Sequence, residues 1–192
     1  MILVLSGHLQ EVKYMRVIAG DYKGRRLTPP ADNSVRPTTD KVKEALFSIM
    51  TDRIWGSRVL DLFSGTGNLG IEALSRGADF CVFADNSRES LRLIRSNIEH
   101  CKIESGARVV PGDYKKVLAG LGEKFDIILL DPPYGKGYLE ECFQLIREYG
   151  VLAEDGVIIA EHRREEVLPE EFEGFNKIKE RKYGIIMLSI YC

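Results

Sequence analysis

Asp131-Pro132-Pro133-Tyr134 follows directly on the apolar run Phe125-Asp126-Ile127-Ile128-Leu129-Leu130. A run this short, stopped by two prolines and an aromatic, predicts a strand with a rigid polar loop at its C-terminal end, where open α/β sheets bind ligands. The prolines hold φ near about −65° and bar both helix and ladder, so the Asp131 carboxylate and the Pro132 carbonyl are fixed as acceptors. Acceptors fixed in this way suit the exocyclic amine of a nucleobase. Such an amine is planar, with its lone pair drawn into the ring. Two acceptors bonding its two hydrogens draw that lone pair out toward an electrophile without reorganising during reaction. Tyr134 can lie flat on the base, a contact worth roughly 1–3 kcal/mol, and the base must be flipped out or unpaired to reach it. No cysteine adjoins a proline in this loop, which disfavours a covalent thiol adduct on a ring carbon and leaves nitrogen as the target. Asp131, Pro132, Pro133 and Tyr134 are therefore the candidate catalytic residues, with Gly135 and Gly137 as a pliable edge. A stiff turn that merely ends a strand is the alternative reading.

The stretch Val59-Leu60-Asp61-Leu62-Phe63-Ser64-Gly65-Thr66-Gly67-Asn68-Leu69-Gly70 reads as strand, glycine loop and helix start. Gly65, Gly67 and Gly70 satisfy G-x-G-x-x-G, and Asp85 stands 18 positions after Gly67, where a ribose-binding acid belongs. A nicotinamide dinucleotide therefore has to be weighed. Asp61 argues against it, because a pyrophosphate would meet a carboxylate beside the loop. A cation tolerates that neighbour, and S-adenosyl-L-methionine offers an ammonium and a sulfonium with no phosphate. Asp61 can hold the ammonium, while Phe63, Ser64, Gly65, Thr66 and Gly67 let the backbone approach the cofactor. Asp85, with Asn86, can take both ribose hydroxyls, and in Gly112-Asp113-Tyr114 the Asp113 carboxylate can accept from the adenine amine. Taken singly, each acid could equally cap a helix or solvate a turn.

These residues need a scaffold that brings strand ends to one rim. The chain has 192 residues, 44% of them hydrophobic, which suits one folded enzyme-sized unit and argues against disorder. From Met15 to Leu27 two short strands flank the turn Asp21-Tyr22-Lys23-Gly24. Thr39 or Asp40 can cap a helix with apolar positions Val42, Ala45, Leu46 and Ile49. Strands at 58–62, 80–84, 108–111, 127–130 and 157–161 then alternate with helices at 68–76, 87–100, 115–119 and 138–149. That alternation predicts a parallel sheet with helices on both faces. Two tail strands, 177–181 and 184–191, joined at Tyr183-Gly184, would close it with an antiparallel pair. The expected organisation is an N-terminal extension of no structural weight at 1–14, a basic hairpin at 15–38 and the catalytic unit at 39–192.

The net charge is −2, but between Arg16 and Lys43 seven basic residues face three acidic ones. Lys23, Arg25 and Arg26, interleaved with Tyr22, form a candidate phosphate-contacting surface, although a solvated basic face would look the same. Phosphate contacts set register without choosing a base. Cys81, Cys101, Cys142 and Cys192 are widely spaced with no CxxC pair, so neither a zinc site nor a disulfide framework is indicated, and a reducing cytoplasm is the expected compartment. No run approaches the roughly eighteen apolar residues that span a bilayer.

Arg16-Val17-Ile18-Ala19-Gly20, Lys23-Gly24-Arg25-Arg26-Leu27 and Arg36-Pro37-Thr38-Thr39-Asp40-Lys41-Val42-Lys43-Glu44-Ala45-Leu46-Phe47, with the glycine loop and Asp-Pro-Pro-Tyr, resemble the bacterial 16S ribosomal RNA guanine-N2 methyltransferases. The resemblance covers Met15 to the C-terminus. The glycine loop and Asp-Pro-Pro-Tyr recur among many amino methyltransferases, whereas the hairpin and the Arg-Pro-Thr segment are more specific. The resemblance implies a class I, Rossmann-like α/β methyltransferase fold with a mostly parallel seven-stranded sheet. It implies methylation by S-adenosyl-L-methionine, leaving S-adenosyl-L-homocysteine, of one guanine N2 in 16S rRNA within an assembled or assembling small subunit. It further implies that Arg36, Pro37 and Thr38 border the cofactor pocket. Asp85 stands where Glu is usual in that family, a shorter acid that still reaches a ribose. A monomer without metal or membrane attachment is expected. Two other readings stay open: a DNA adenine or cytosine amino methyltransferase, which would need a target-recognition domain, and a non-catalytic RNA-binding assembly factor.

Overall fold

Short apolar runs alternating with amphipathic segments build a layered α/β unit. In the computed structural model, which describes residues 15–30 and 40–192, a hairpin of β1 (Met15–Arg16) and β2 (Arg26–Leu27) comes before helices α1 (Asp40–Ile49) and α2 (Thr51–Ile54). Then follow β3 (Arg58–Asp61), α3 (Asn68–Ser75), β4 (Phe80–Asp85), α4 (Arg88–His100), β5 (Ala107–Pro111) and α5 (Tyr114–Gly120). The chain continues through β6 (Phe125–Leu130), α6 (Tyr138–Tyr149), β7 (Leu152–Arg163), β8 (Glu171–Phe172), β9 (Phe175–Tyr183) and β10 (Ile186–Tyr191).

The sheet runs β5-β4-β3-β6-β7-β10-β9-β8. β3 to β7 pair in parallel, and β10 joins β7 and β9 antiparallel. The seven expected strands are present, and the two-residue β8 adds an eighth at the edge beside β9. Strand order turns back between β3 and β6, which makes the gap between their C-terminal ends the crevice where such sheets bind ligands. Alternate residues feed two cores. Val59, Ile127 and Leu129 pack with α1, α3 and α4 on one face. Leu60, Ile128 and Leu130 pack with α5 and α6 on the other.

Several elements depart from the sequence expectation. β7 is twelve residues long, not five, because Leu152 pairs with Phe125 before a register shift at exposed Glu154 and Asp155, which interrupt the apolar pattern, and Arg163 pairs with Ile186 at the far end. Helix α1 buries Val42, Lys43, Leu46 and Phe47, so its inner face is rotated away from the expected Ala45 and Ile49. The reason is Lys43, which is 0% exposed yet charged. Its Nζ donates to Asn68 Oδ1 at 2.7 Å and to the Arg16 carbonyl at 2.6 Å, and it pairs with Glu72 at 3.0 Å. Burial pulls the Lys43 pKa down, against the pull of Glu72. Residues 1–14, the Thr39 cap and the expected boundary at 38/39 lie outside the described residues.

The same Glu72 carboxylate fastens the hairpin. It accepts from the amides of Ile18 and Ala19 at 2.8 and 3.0 Å and from Arg76 Nε at 2.8 Å. Removing one partner of a buried ion pair strands the other, so Glu72→Leu is expected to destabilise the fold by about 3–5 kcal/mol. Replacing both, as Lys43→Met with Glu72→Leu, is expected to restore a substantial part of that loss. Urea unfolding of the two variants checks this, and a single variant within about 1 kcal/mol of wild type would contradict it.

Candidate active site at the C-terminal rim

Asp61 ends β3 opposite Leu129 of β6, and the Leu62 amide still bonds to the Leu129 carbonyl at 3.2 Å. The glycine loop and the Asp131 loop therefore leave adjacent strands at the same edge. In the first loop Gly65 and Gly67 hold φ of 54° and 79°, the left-handed region that side chains disfavour. A Cβ on Gly70 would lie 2.3 Å from Phe83 and 2.7 Å from the Cys81 sulfur, so this glycine lets α3 close on β4. Ser64 bonds through its amide to the Ala84 carbonyl at 3.0 Å and through its hydroxyl to the Asp61 carbonyl at 2.7 Å.

Asp61 is 2% exposed. Its Oδ2 accepts from the Gly70 amide at 3.0 Å, which satisfies one open donor of the α3 N-terminus. Burial pushes its pKa up to about 7; the Gly70 bond opposes the rise and nearby Asp85 adds to it. Among the described residues, the groups that set this shift include no cation. Asp85 accepts from the Gly65 amide at 2.9 Å and the Ser87 amide at 2.8 Å, one on each oxygen, so it braces the glycine loop and each oxygen keeps a lone pair for a hydroxyl. Asn86, next to it, is exposed.

At the end of β5 the Gly112 amide bonds to the Asp85 carbonyl at 3.0 Å, which ties the third loop to the second. Asp113 caps α5, its Oδ1 accepting from the Lys115 amide at 3.0 Å. The capping role that any such acid can play is thus realised, with Oδ2 left over for an adenine amine. Tyr114 is buried, and its hydroxyl bonds to Glu141. Its ring meets Phe63 at 5.5 Å and Tyr138 at 5.5 Å, so the glycine loop and the first residues of α5 and α6 share one aromatic wall.

The Asp131 loop leaves β6, the neighbour of β3. Pro132 is buried, Pro133 exposed, and Asp131 and Tyr134 half-buried. The Tyr134 hydroxyl donates to Glu161 Oε1 at 2.7 Å, and the loop is braced further on by the Gly135 amide bonding to Glu166. Burial first, then the charges of Asp131 and Glu161, push the Tyr134 pKa up, so the hydroxyl stays a donor.

The basic hairpin is placed differently. Its turn packs on the C-terminal end of α3, where the Asp21 amide bonds to the Ser75 carbonyl at 2.8 Å. Exposed Lys23 is therefore about one helix length, ~12 Å for eight residues, from the glycine loop. Arg25 is half-buried: its guanidinium bonds to the Cys101 carbonyl and lies 5.1 Å from the Tyr22 ring centroid, which makes it part of the hairpin's anchorage. Arg26 is exposed. Arg36, Pro37 and Thr38 lie outside the described residues.

Three residues that sequence reasoning passed over join these parts. Asn97, fully buried on α4, bonds to the Thr66 carbonyl at 2.9 Å and the Thr28 amide at 2.8 Å, linking the hairpin to the glycine loop. Glu72 and Glu161 are buried acids, one inside an apolar helix and one closing the run Val157–Ala160. A lone acid in such a run is the signal that marks them.

The family model described as Conserved hypothetical protein 95 matches residues 15–192. The Bacillus subtilis (strain 168) protein YlbH, provisionally named an rRNA methyltransferase, is 42% identical over 180 residues, covering 92% of this chain and 98% of its own. Ribosomal RNA small subunit methyltransferase D of Escherichia coli (strain K12) is 34% identical over 92% of this chain and 89% of its own. The solved structure of Escherichia coli yhhF superposes with a TM-score of 0.84 at 32% identity, covering 93% of this chain and 97% of that one.

A raised Asp61 pKa gives the pocket a measurable pH dependence. Because the folded value lies above the unfolded one, stability falls as pH rises from about 4 to about 7, by on the order of 4 kcal/mol in the protein alone, with no further loss above pH 7, and a ligand ammonium recovers part of that. A cationic ligand end lowers the pKa again, so binding releases a proton below about pH 7. Adenosylhomocysteine, followed by calorimetry, should therefore bind about tenfold more weakly near pH 6 than above pH 8. Asp61→Asn should flatten that profile, and a flat wild-type profile would remove Asp61 from the ammonium site.

Proposed function

The chain belongs to the Conserved hypothetical protein 95 family, and from that footing we propose that it transfers a methyl group from S-adenosyl-L-methionine to the exocyclic N2 amine of one guanine in 16S rRNA. The RNA is presented in an assembled or assembling small ribosomal subunit, and the enzyme works as a cytoplasmic monomer. The observation that carries this reading is the placement of two loops on adjacent strand ends. One holds a buried carboxylate; the other holds a proline-stiffened pair of acceptors. The names of the relatives point to the same chemistry on small-subunit RNA.

The residues fit the cofactor. Asp61 supplies the negative partner for its ammonium, Asp85 the acceptors for its ribose, and Phe63 and Tyr114 an aromatic wall. When bound, the cofactor supplies an electrophilic methyl on a sulfonium. Every other task falls to this chain. Asp131 and the Pro132 carbonyl accept the two amine hydrogens and turn the nitrogen lone pair toward the methyl group. Tyr134 holds the plane of the base, which removes rotational freedom before the bond forms. Forming the N–CH3 bond as the S–CH3 bond breaks would release S-adenosyl-L-homocysteine and leave the base nitrogen positive, and the Asp131 carboxylate would stabilise that charge until the surplus proton passes to water. Phe63, Tyr114 and Tyr138 keep water from that side of the pocket.

Tritiated cofactor and small subunits that lack the modification test the activity, with mass mapping to identify the guanine. Asp131→Ala is expected to abolish transfer while adenosylhomocysteine affinity stays within a few fold, because the acceptor acts on the amine and not on the cofactor. Near-normal turnover in that variant would contradict the assignment. The hairpin's share in holding RNA is tested by Lys23→Ala with Arg26→Ala. Binding should weaken uniformly across RNA sequences, and the slope of log K against log salt should fall by about 1–2. An unchanged slope would count against a phosphate grip.

A further inference from the structure

One strand grips Tyr134 at both ends. Glu161 Oε1 takes its hydroxyl at 2.7 Å, and the Arg163 guanidinium lies 5.5 Å from its ring centroid. Glu161 and Arg163 stand two residues apart on β7, so their side chains leave the same face. β7 pairs with β6 in a register that sets Ala160 opposite Leu130, which places Glu161 across from Asp131 as both strands reach the rim.

Glu161 is 3% exposed, and its second oxygen, Oε2, is buried with no hydrogen-bond partner. A buried carboxylate with an unsatisfied oxygen works against the stability of the fold. Burial pushes its pKa up, as expected for a charge kept from water. An apolar side chain would carry no such penalty, and among the described residues the Tyr134 hydroxyl is the group that the Glu161 carboxylate holds.

We infer that Glu161 is a positioning residue for the methyl transfer: through the Tyr134 hydroxyl it fixes the ring on which the target base stacks, at the angle that presents the amine to Asp131 and Pro132. Arg163 covers one face of that ring, so the base stacks on the opposite face. This inference rests on the amine methylation proposed above. It goes beyond that proposal by assigning part of the rate to a residue that touches neither base nor cofactor.

The test measures turnover, adenosylhomocysteine affinity and melting temperature together, in full-length protein with small subunits as substrate. Glu161→Leu is expected to melt no lower than wild type and to bind adenosylhomocysteine normally. It should lose about thirtyfold in kcat, the size of effect a small misplacement of a reacting group produces. Glu161→Gln keeps an acceptor for the hydroxyl and should recover most of that loss. Tyr134→Phe keeps the ring and drops the hydroxyl, so it should show a similar loss. The Glu161→Leu, Tyr134→Phe double variant should lose no more than either single variant, because both remove one bond. Additive losses, or wild-type turnover in Glu161→Leu, overturn the inference. So does a joint fall in melting temperature and cofactor affinity, which would make Glu161 a packing residue. An active wild type with an indifferent Glu161→Leu sinks this inference alone, whereas a wild type inert toward RNA sinks the proposed function and takes the inference with it.

Discussion

The pairing of β3 with β6 sets everything at the rim. Val59, Leu60 and Asp61 lie opposite Ile127, Ile128 and Leu129, and both strands are buried on both faces. Their alternate residues serve different helix layers, so a slip of one residue would send every side chain to the wrong core. Packing on two sides therefore fixes the register far more tightly than the hydrogen bonds of a four-residue strand could. That register makes two loops from distant parts of the chain start side by side.

A second constraint joins the N-terminal hairpin to the glycine loop. Glu72 accepts from two hairpin amides and from Lys43, and Lys43 in turn reaches Asn68, the first residue after the loop. Asn97 adds a second route, from Thr28 to the Thr66 carbonyl. Both routes are buried, where a lost partner is most damaging. The hairpin and the glycine loop thus form one mechanical unit.

Much of this was legible from the sequence where a local rule and the global fold agree. Helix α6 has the expected bounds because Gly137 and Gly150, at φ of 69° and 59°, stop it at both ends. Ser87 caps α4 as its type suggests, accepting from the Ser90 amide at 3.3 Å. The strand ends carrying Asp61, Asp85 and Asp131 followed from apolar runs stopped by polar residues. What was illegible depended on pairs distant in the chain. Lys43 reads as a solvated residue until Glu72, on another helix, makes it a core residue. Arg25 reads as a phosphate ligand until the Cys101 carbonyl claims it. Glu161 reads as the polar end of a strand until β7 lies beside the Asp131 loop. In each case the decisive partner belongs to another element, and composition or periodicity cannot name it.

The carboxylates gathered at the rim limit which ligands it can attract. Asp61 and Asp85 are held by backbone amides, which hydrogen-bond a carboxylate without neutralising it. An ionised Asp61 favours a cationic ligand end and would repel the phosphates of a polynucleotide. Positive charge placed among these acids would pair with them and weaken both functions. Lys23 instead stands at the far end of α3, about 12 Å from the glycine loop, beyond the roughly 8–10 Å over which salt screens exposed charges. At that separation salt screens the basic turn from the rim carboxylates, so the charges of the two regions need not cancel.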